Sequence, residues 1–286
     1  MAEAQAVRDR STGEEQAPRA PSRVSLSERA LRIGVPVGMF ALAILGWHLY
    51  VTIYDVPHYI LPSPAAVAAS LWNDWHTLAP ALLVTVRITF TALFLALVGG
   101  VGLAIILVQS RWIELALFPF AVILQVTPVI AIAPLLLIYA SDTQTALLIC
   151  AFLVAFFPIL SNMVQGLKSV DHNLLNLFDL YGASRWQTLL YLKLPASLPY
   201  FMAGLRIGGG LALIAAVVAE FAAGSAGAGS GLAFRLLESQ FRLNIPRLFA
   251  ALVLLTATGV AIFGLTSLIS WLALRRWHES AVRREN

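Results

Sequence analysis

Hydrophobic positions dominate this chain in six long runs, at residues 31–53, 83–108, 113–139, 143–164, 198–222 and 247–274. Each is long enough to cross an apolar layer of about 30 Å, which takes about 20 helical residues. The pattern predicts an all-α membrane protein with six transmembrane helices. The third and fourth runs are separated only by residues 140–142, which makes them a tight hairpin. Residues 171–199 break the apolar pattern with order of their own. Leu174, Leu177, Phe178 and Tyr181 fall at i, i+3, i+4 and i+7, opposite Asn173, Asn176 and Asp179, an amphipathic helix too short to span. Gly182 can supply the left-handed cap that ends it. Ser184 followed by Gln187 is a capping box that opens a second short helix, which Pro195 and Pro199 are expected to close. That helix carries Trp186, Leu189, Leu190 and Lys193 on one side, fit to enter a partner's groove. A hairpin in the headgroup layer satisfies the same spacing.

Charge orients the spans. Arg8, Arg10, Arg19, Arg23, Arg29 and Arg32 precede the first, Arg111 follows the second, and Lys168, Arg185 and Lys193 flank or lie in the interrupted stretch. Arg275, Arg276, Arg283 and Arg284 follow the last. With six spans these all fall on one side, which the positive-inside rule makes cytoplasmic, so both termini are expected inside. Arg235, Arg242 and Arg247 are the exceptions. With 59% hydrophobic and 12% charged residues among 286, the chain belongs in a bilayer, and its thinly spread net charge of +4 speaks for orientation and against nucleic acid. Residues 1–29 have almost no apolar periodicity and read as a flexible cytoplasmic tail without a cleavable signal peptide. Residues 30–276 form the transmembrane domain, and 277–286 a second cytoplasmic tail. The single cysteine, Cys150, reads as buried and inert.

The run from Gly182 to Leu192, Leu194 and Pro195, with GASRWQ at the corner, resembles the cytoplasmic "EAA" loop of importer-type ABC transporter permeases. The segment LPASLPYFMAGLRIGGGLALIAAVVAEF is similar to the subfamily that imports nitrate, sulfonates and taurine. The resemblance covers roughly residue 31 to the C-terminus. Where that family usually has Glu-Ala-Ala, this chain has Asn176, Leu177 and Phe178. The resemblance implies a type I ABC importer fold in a bacterial inner membrane. It also implies that a loop at about 168–197 couples to cytoplasmic ABC ATPase subunits through Tyr181, Gly182, Ala183, Ser184, Arg185, Trp186, Leu194 and Pro195. A permease homodimer, a binding protein delivering solute from outside, and ATP-Mg held by the partner ATPase come with it, and no cofactor in this chain.

Other features divide between site and scaffold. Residues 61–64, LPSP, precede a short helix with two tryptophans suited to the interface; the segment resembles the same subfamily and also reads as a proline turn. In the third span Pro128 and Pro134 interrupt hydrogen bonding beside Gln125 and Thr127, which suits a helix bordering a pathway or a packing kink. Gly99, Gly100 and Gly102 suit close helix approach. Arg206 and Glu220 lie about 21 Å apart along the fifth span, so they cannot pair with each other; Arg206 reads as structural, and Glu220 as a gate or a helix-end packing group. The glycine cluster 224–234 reads as an outer flexible loop, followed by a short helix whose Arg235, Glu238 and Arg242 face a soluble partner or pair among themselves.

Lys168 and Lys193 are the only lysines, and neither follows a glycine loop, so a Walker A ATPase is excluded. No GxSxG elbow, HExxH pair or Cys/His ligand spacing appears, which disfavours an intramembrane enzyme. The resemblance implies a permease subunit moving an oxyanion or sulfonate-like solute, or a heterocyclic vitamin precursor. The alternative is a self-contained secondary carrier or channel, whose inverted repeats are not found here.

Overall fold

A computed structural model describes residues 26–224 and 229–275. Residues 1–25 of the N-terminal tail and all of the C-terminal one, with all the terminal arginines except Arg29, Arg32 and Arg275, lie outside the described residues, as do positions 225–228 of the glycine loop, whereas residues 26–29, expected in the tail, are helical. Every regular element described is helical. The chain divides into two units, residues 1–54 and 55–286. The first contains α1, Leu26–Ile53, an apolar helix with Pro36 inside it and large exposed side chains such as Phe40.

The second unit begins with α2 (Pro64–Asn73), where Ser63 caps the backbone N–H of Ala66 and Pro64 fills the first turn. Proline is favoured there because its missing N–H would be unpaired anyway. Then come α3 (Trp75–Gln109), α4 (Arg111–Val126), α5 (Val129–Tyr139) and α6 (Thr143–Lys168). The interrupted stretch holds α7 (His172–Leu180), α8 (Arg185–Thr188) and one π-helical turn (Leu189–Lys193), followed by α9 (Leu194–Ala223), α10 (Leu232–Phe241) and α11 (Ile245–Leu274). Among the described residues five helices are long and apolar enough to cross a membrane, and the bent pair α4–α5 makes six when counted as one crossing.

Helix α6 is the core element, packed between α3 and α9. Small residues bring the three backbones together. A Cβ on Gly100 would stand 3.0 Å from Ile159 Cγ2, and one on Gly204 would stand 3.2 Å from both the Cα of Ile159 and the carbonyl oxygen of Pro158. With lipid on the far side there is no hydrophobic gain from helix association, so close van der Waals contact between such surfaces carries the packing. Gly100 meets the expectation of close approach, and Gly99 lies 3.4 Å from Phe156 by the same measure, whereas Gly102 faces open space. Cys150 is buried among Ala133, Leu147 and Ala151.

Pro128 interrupts the third span as expected, and so sharply that residues 113–139 are not one helix: α4 and α5 meet at 104°. The break falls at Thr127, whose ψ of 123° is extended, because the ring of the following Pro128 disfavours helical backbone in the residue before it. Pro134 lies inside α5 without ending it. Conversely, Pro195 and Pro199 do not close the second short helix, since one helical course runs from Arg185 to Ala223. The π turn supplies the slack. Leu194 N–H bonds back to Leu189 O, and this wider register lets the helix absorb Pro195 in the first turn of α9.

Candidate docking corner and transport site

The interrupted stretch builds a rigid corner from local chemistry. Asp171 Oδ1 accepts from the N–H of Asn173 and caps α7. At the other end the N–H of Ala183 bonds to Phe178 O and that of Gly182 to Asp179 O, the paired bonds of a Schellman motif. Gly182 has φ 66°, a left-handed conformation that costs a residue with Cβ about 1–2 kcal/mol. Two residues on, Ser184 Oγ accepts from the N–H of Gln187 while Gln187 Oε1 accepts from the N–H of Ser184, a complete capping box. The corner thus has its chain reversal and its restart both satisfied within itself.

Its apolar side chains are only partly used. Leu189 is buried against Leu107, Leu160 and Leu167 and anchors the corner to α3 and α6. Leu180, Tyr181 and Trp186 are 85%, 83% and 65% exposed, and Leu190 and Tyr191 are exposed with them. The face expected to include Trp186, Leu189 and Leu190 therefore splits into one anchor and a projecting apolar patch. In the angle between α7 and α8 lies a cleft of ≈ 280 Å³, lined by residues including Gln109, Asp179, Arg185 and Lys193. Beside it Lys168 pairs with Glu114, tying the end of α6 to the first turn of α4. Of the expected coupling residues, Tyr181 to Trp186 form the corner, while Leu194 and Pro195 lie farther along the same helical course.

At the opposite end of α9, Glu220 is 2% exposed. Its Oε1 accepts from Thr85 Oγ1 at 2.8 Å and its Oε2 from the N–H of Ala233 at 2.9 Å; Thr85 Oγ1 in turn accepts from the N–H of Leu232 at 2.9 Å. Leu232 and Ala233 open α10, so two side chains from different helices satisfy the free N–H groups of a third, at the end whose dipole favours negative charge. Gly231 runs directly against the carboxyl group and leaves no room for a Cβ. Gln125, Pro128 and Pro134 are exposed on α4 and α5, and Glu220's hydrogen-bond partners, Thr85 and Ala233, include none of them. Arg206 places its guanidinium 5.9 Å from the ring centroid of Phe263 on α11, a cation–π contact. Glu238 holds both Arg235 and Arg242 within one turn of α10.

Residues 96–283 match the family described as binding-protein-dependent transport system inner membrane component. The chain belongs to this family. It is 36% identical over 272 residues to the riboflavin transport system permease protein RibX of Chloroflexus aurantiacus, covering 91% of this chain and 97% of that protein. It is 30% identical to the formylaminopyrimidine transport permease protein ThiX of Halalkalibacterium halodurans, over 79% of this chain and 88% of that one. The taurine transport system permease protein TauC of Escherichia coli is 28% identical, over 69% and 74%. The fold is shared with a chain of the MetNI methionine ABC transporter in an inward-facing conformation, with TM-score 0.60 and 17% identity over 69% of this chain and 96% of that one.

In this transport-system membrane component, sequence reasoning missed the roles of two side chains and one ion pair. Thr85 gives no signal of its own, since a threonine in a span ordinarily back-bonds to the carbonyl four residues earlier. The ion pair between Asp74, at the α2–α3 junction, and Arg247, in the first turn of α11, joins residues far apart in sequence. Arg87 was visible as an arginine inside an apolar run, the usual mark of function in a membrane helix.

Proposed function

We propose that this permease works as a symmetric pair whose two exposed corners each receive a cytoplasmic ATPase subunit, while a binding protein delivers the solute at the other face. The observation that carries the reading is the corner itself: exposed apolar side chains of Leu180, Tyr181, Trp186 and Leu190 on a loop held by its own Schellman and capping-box hydrogen bonds. A soluble loop spends such groups in a core; here they project outward, in the manner of an anchor for a partner's groove. The helical course from Arg185 to Ala223 then joins the corner to the Glu220 clamp, so a push on the corner is delivered along one element to the far end of the bundle. ATP-Mg belongs to the partner, since this chain has no phosphate-binding lysine loop. The solute class that fits the family is small: a sulfonate-like oxyanion or a heterocyclic vitamin precursor.

The test is co-purification with a candidate ABC ATPase subunit co-expressed with the chain. Replacing Trp186 and Leu190 together by Ser removes the half of the patch that lies beyond the glycine corner without touching the buried Leu189. Loss of ATPase co-purification, with the permease still monodisperse, supports the reading; an unchanged complex with intact uptake sinks it.

A further inference from the structure

Arg87 is an arginine within the apolar helix α3, and none of the four ion pairs among the described residues includes it. It lines a cleft of ≈ 240 Å³ with Ile88 and Thr91 from its own helix and Asp142, Gln144, Thr145 and Leu148 from the start of α6. The cleft lies about 18 Å along α3 from Trp75. It is therefore toward the end of the bundle opposite the docking corner, whose cleft is lined by Gln109 at the other end of the same helix.

The one acid in this lining, Asp142, keeps its charge and is turned to the start of its own helix. Asp142 Oδ1 accepts from the N–H of Thr145 at 2.9 Å, and Oδ2 accepts from the hydroxyls of Thr145 at 2.8 Å and Ser141 at 3.1 Å. The carboxylate thus serves as the cap of α6. Beside it the lining offers donors to a guest: the guanidinium of Arg87, the N–H₂ of Gln144 and the hydroxyl of Thr91. A guanidinium presents two parallel N–H groups matched to two oxygens of one anion. The volume is below the range of about 300–1,000 Å³ typical of drug-sized ligands, so the guest is a compact group. A Cβ on Gly229 would stand 2.8 Å from Gln144 Nε2, so the backbone at Gly229 lies beside this amide.

We propose that Arg87, with Gln144 and Thr91, is an anion-recognising site for a compact oxyanion group such as a sulfonate or phosphate. The proposal rests on the permease reading only for the source of that anion: a solute in transit or the headgroup of a surrounding lipid presents the same chemistry.

The experiment reads binding by the full-length permease alone, in dodecyl maltoside, so its failure leaves the permease reading intact. Thermal unfolding is followed while sodium methanesulfonate replaces sodium chloride at constant ionic strength, and separately while dioleoylphosphatidylglycerol is added to the micelles. A saturable upward shift with methanesulfonate, its midpoint moved roughly tenfold or more by R87Q, assigns the site to a solute. A shift with the lipid alone, again lost in R87Q, keeps the site and assigns its occupant to the headgroup. No shift with either anion overturns the proposal, as does an R87Q response equal to wild type. Should R87Q elute as aggregate, R87K and Q144A replace it. Each keeps part of the donor set and is expected to weaken the response severalfold, and a wild-type response from both equally overturns the site.

Discussion

Thr85 and Glu220 are hydrogen-bonded at 2.8 Å across α3 and α9, and together they cap the first turn of α10. Neither side chain satisfies that turn alone. The prediction is non-additivity. Glu220→Ala removes two hydrogen bonds of a carboxyl group and is expected to lower stability by about 2–4 kcal/mol; Thr85→Val strands the N–H of Leu232 and costs about 1–3 kcal/mol. The double variant should fall short of the sum by about 1 kcal/mol or more. A double-mutant cycle in thermal or denaturant unfolding checks it, and a strictly additive cycle means the two do not act as one clamp.

Gly231 tests the same clamp from the other side. Its backbone φ of −87° is ordinary, so only space forbids a side chain: a Cβ there overlaps the Glu220 carboxyl. Gly231→Ala should therefore destabilise clearly, and part of the loss should vanish in an E220A background. Gly229→Ala meets only the movable end of Gln144 and should cost less. Equal costs for the two substitutions would contradict the packing described.

The Asp74–Arg247 pair predicts an acid limit. The hydrogen bond from Arg247, ahead of the opposing effect of burial, holds the Asp74 carboxyl below its ordinary value of 3.8. A carboxylate with a depressed folded value contributes stability above the unfolded value and loses it as pH falls through the folded one. The advantage of wild type over Asp74→Asn should stay level from pH 7 to about 4 and shrink below that. Melting temperatures of both proteins across pH 3–7 decide it; an advantage that fades between pH 7 and 5 would point to a different group.

Gly182 separates conformation from contact. No atom lies within 4 Å of a Cβ placed there, so Gly182→Ala meets no clash and should cost only the left-handed penalty of about 1–2 kcal/mol, confined to the corner. Gly182→Asn, which tolerates that conformation better, should cost less. Faster amide exchange over residues 178–187 in the alanine variant, with the transmembrane helices unchanged, is the expected signature.

Local chemistry was legible wherever its partners are neighbours in sequence. The cap at Gly182, the Ser184–Gln187 box and the apolar runs each depend on atoms within a few residues, so spacing alone locates them. Proline was the weak point. At Pro128 the restriction on Thr127 acted as a break, whereas at Pro195 one π turn absorbed the ring, and nothing in the local sequence separates the two outcomes. Glu220 is similar: an acid near a span end reads equally as gate or cap until the strand of chain returning at 231–233 is seen to donate to it.

The sequence by itself determined that this chain lives in a bilayer, how many apolar runs it has and where the corner at Gly182 turns, because helix length, hydropathy and capping are short-range properties. The tertiary structure alone decided the 104° break between α4 and α5. It also decided the pairing of Thr85 with Glu220 and of Asp74 with Arg247, and the cleft that Arg87 shares with the start of α6. Those arrangements depend on where α6 lets α3 and α9 approach, and that distance is set by glycines and alanines meeting across helices far apart in the chain.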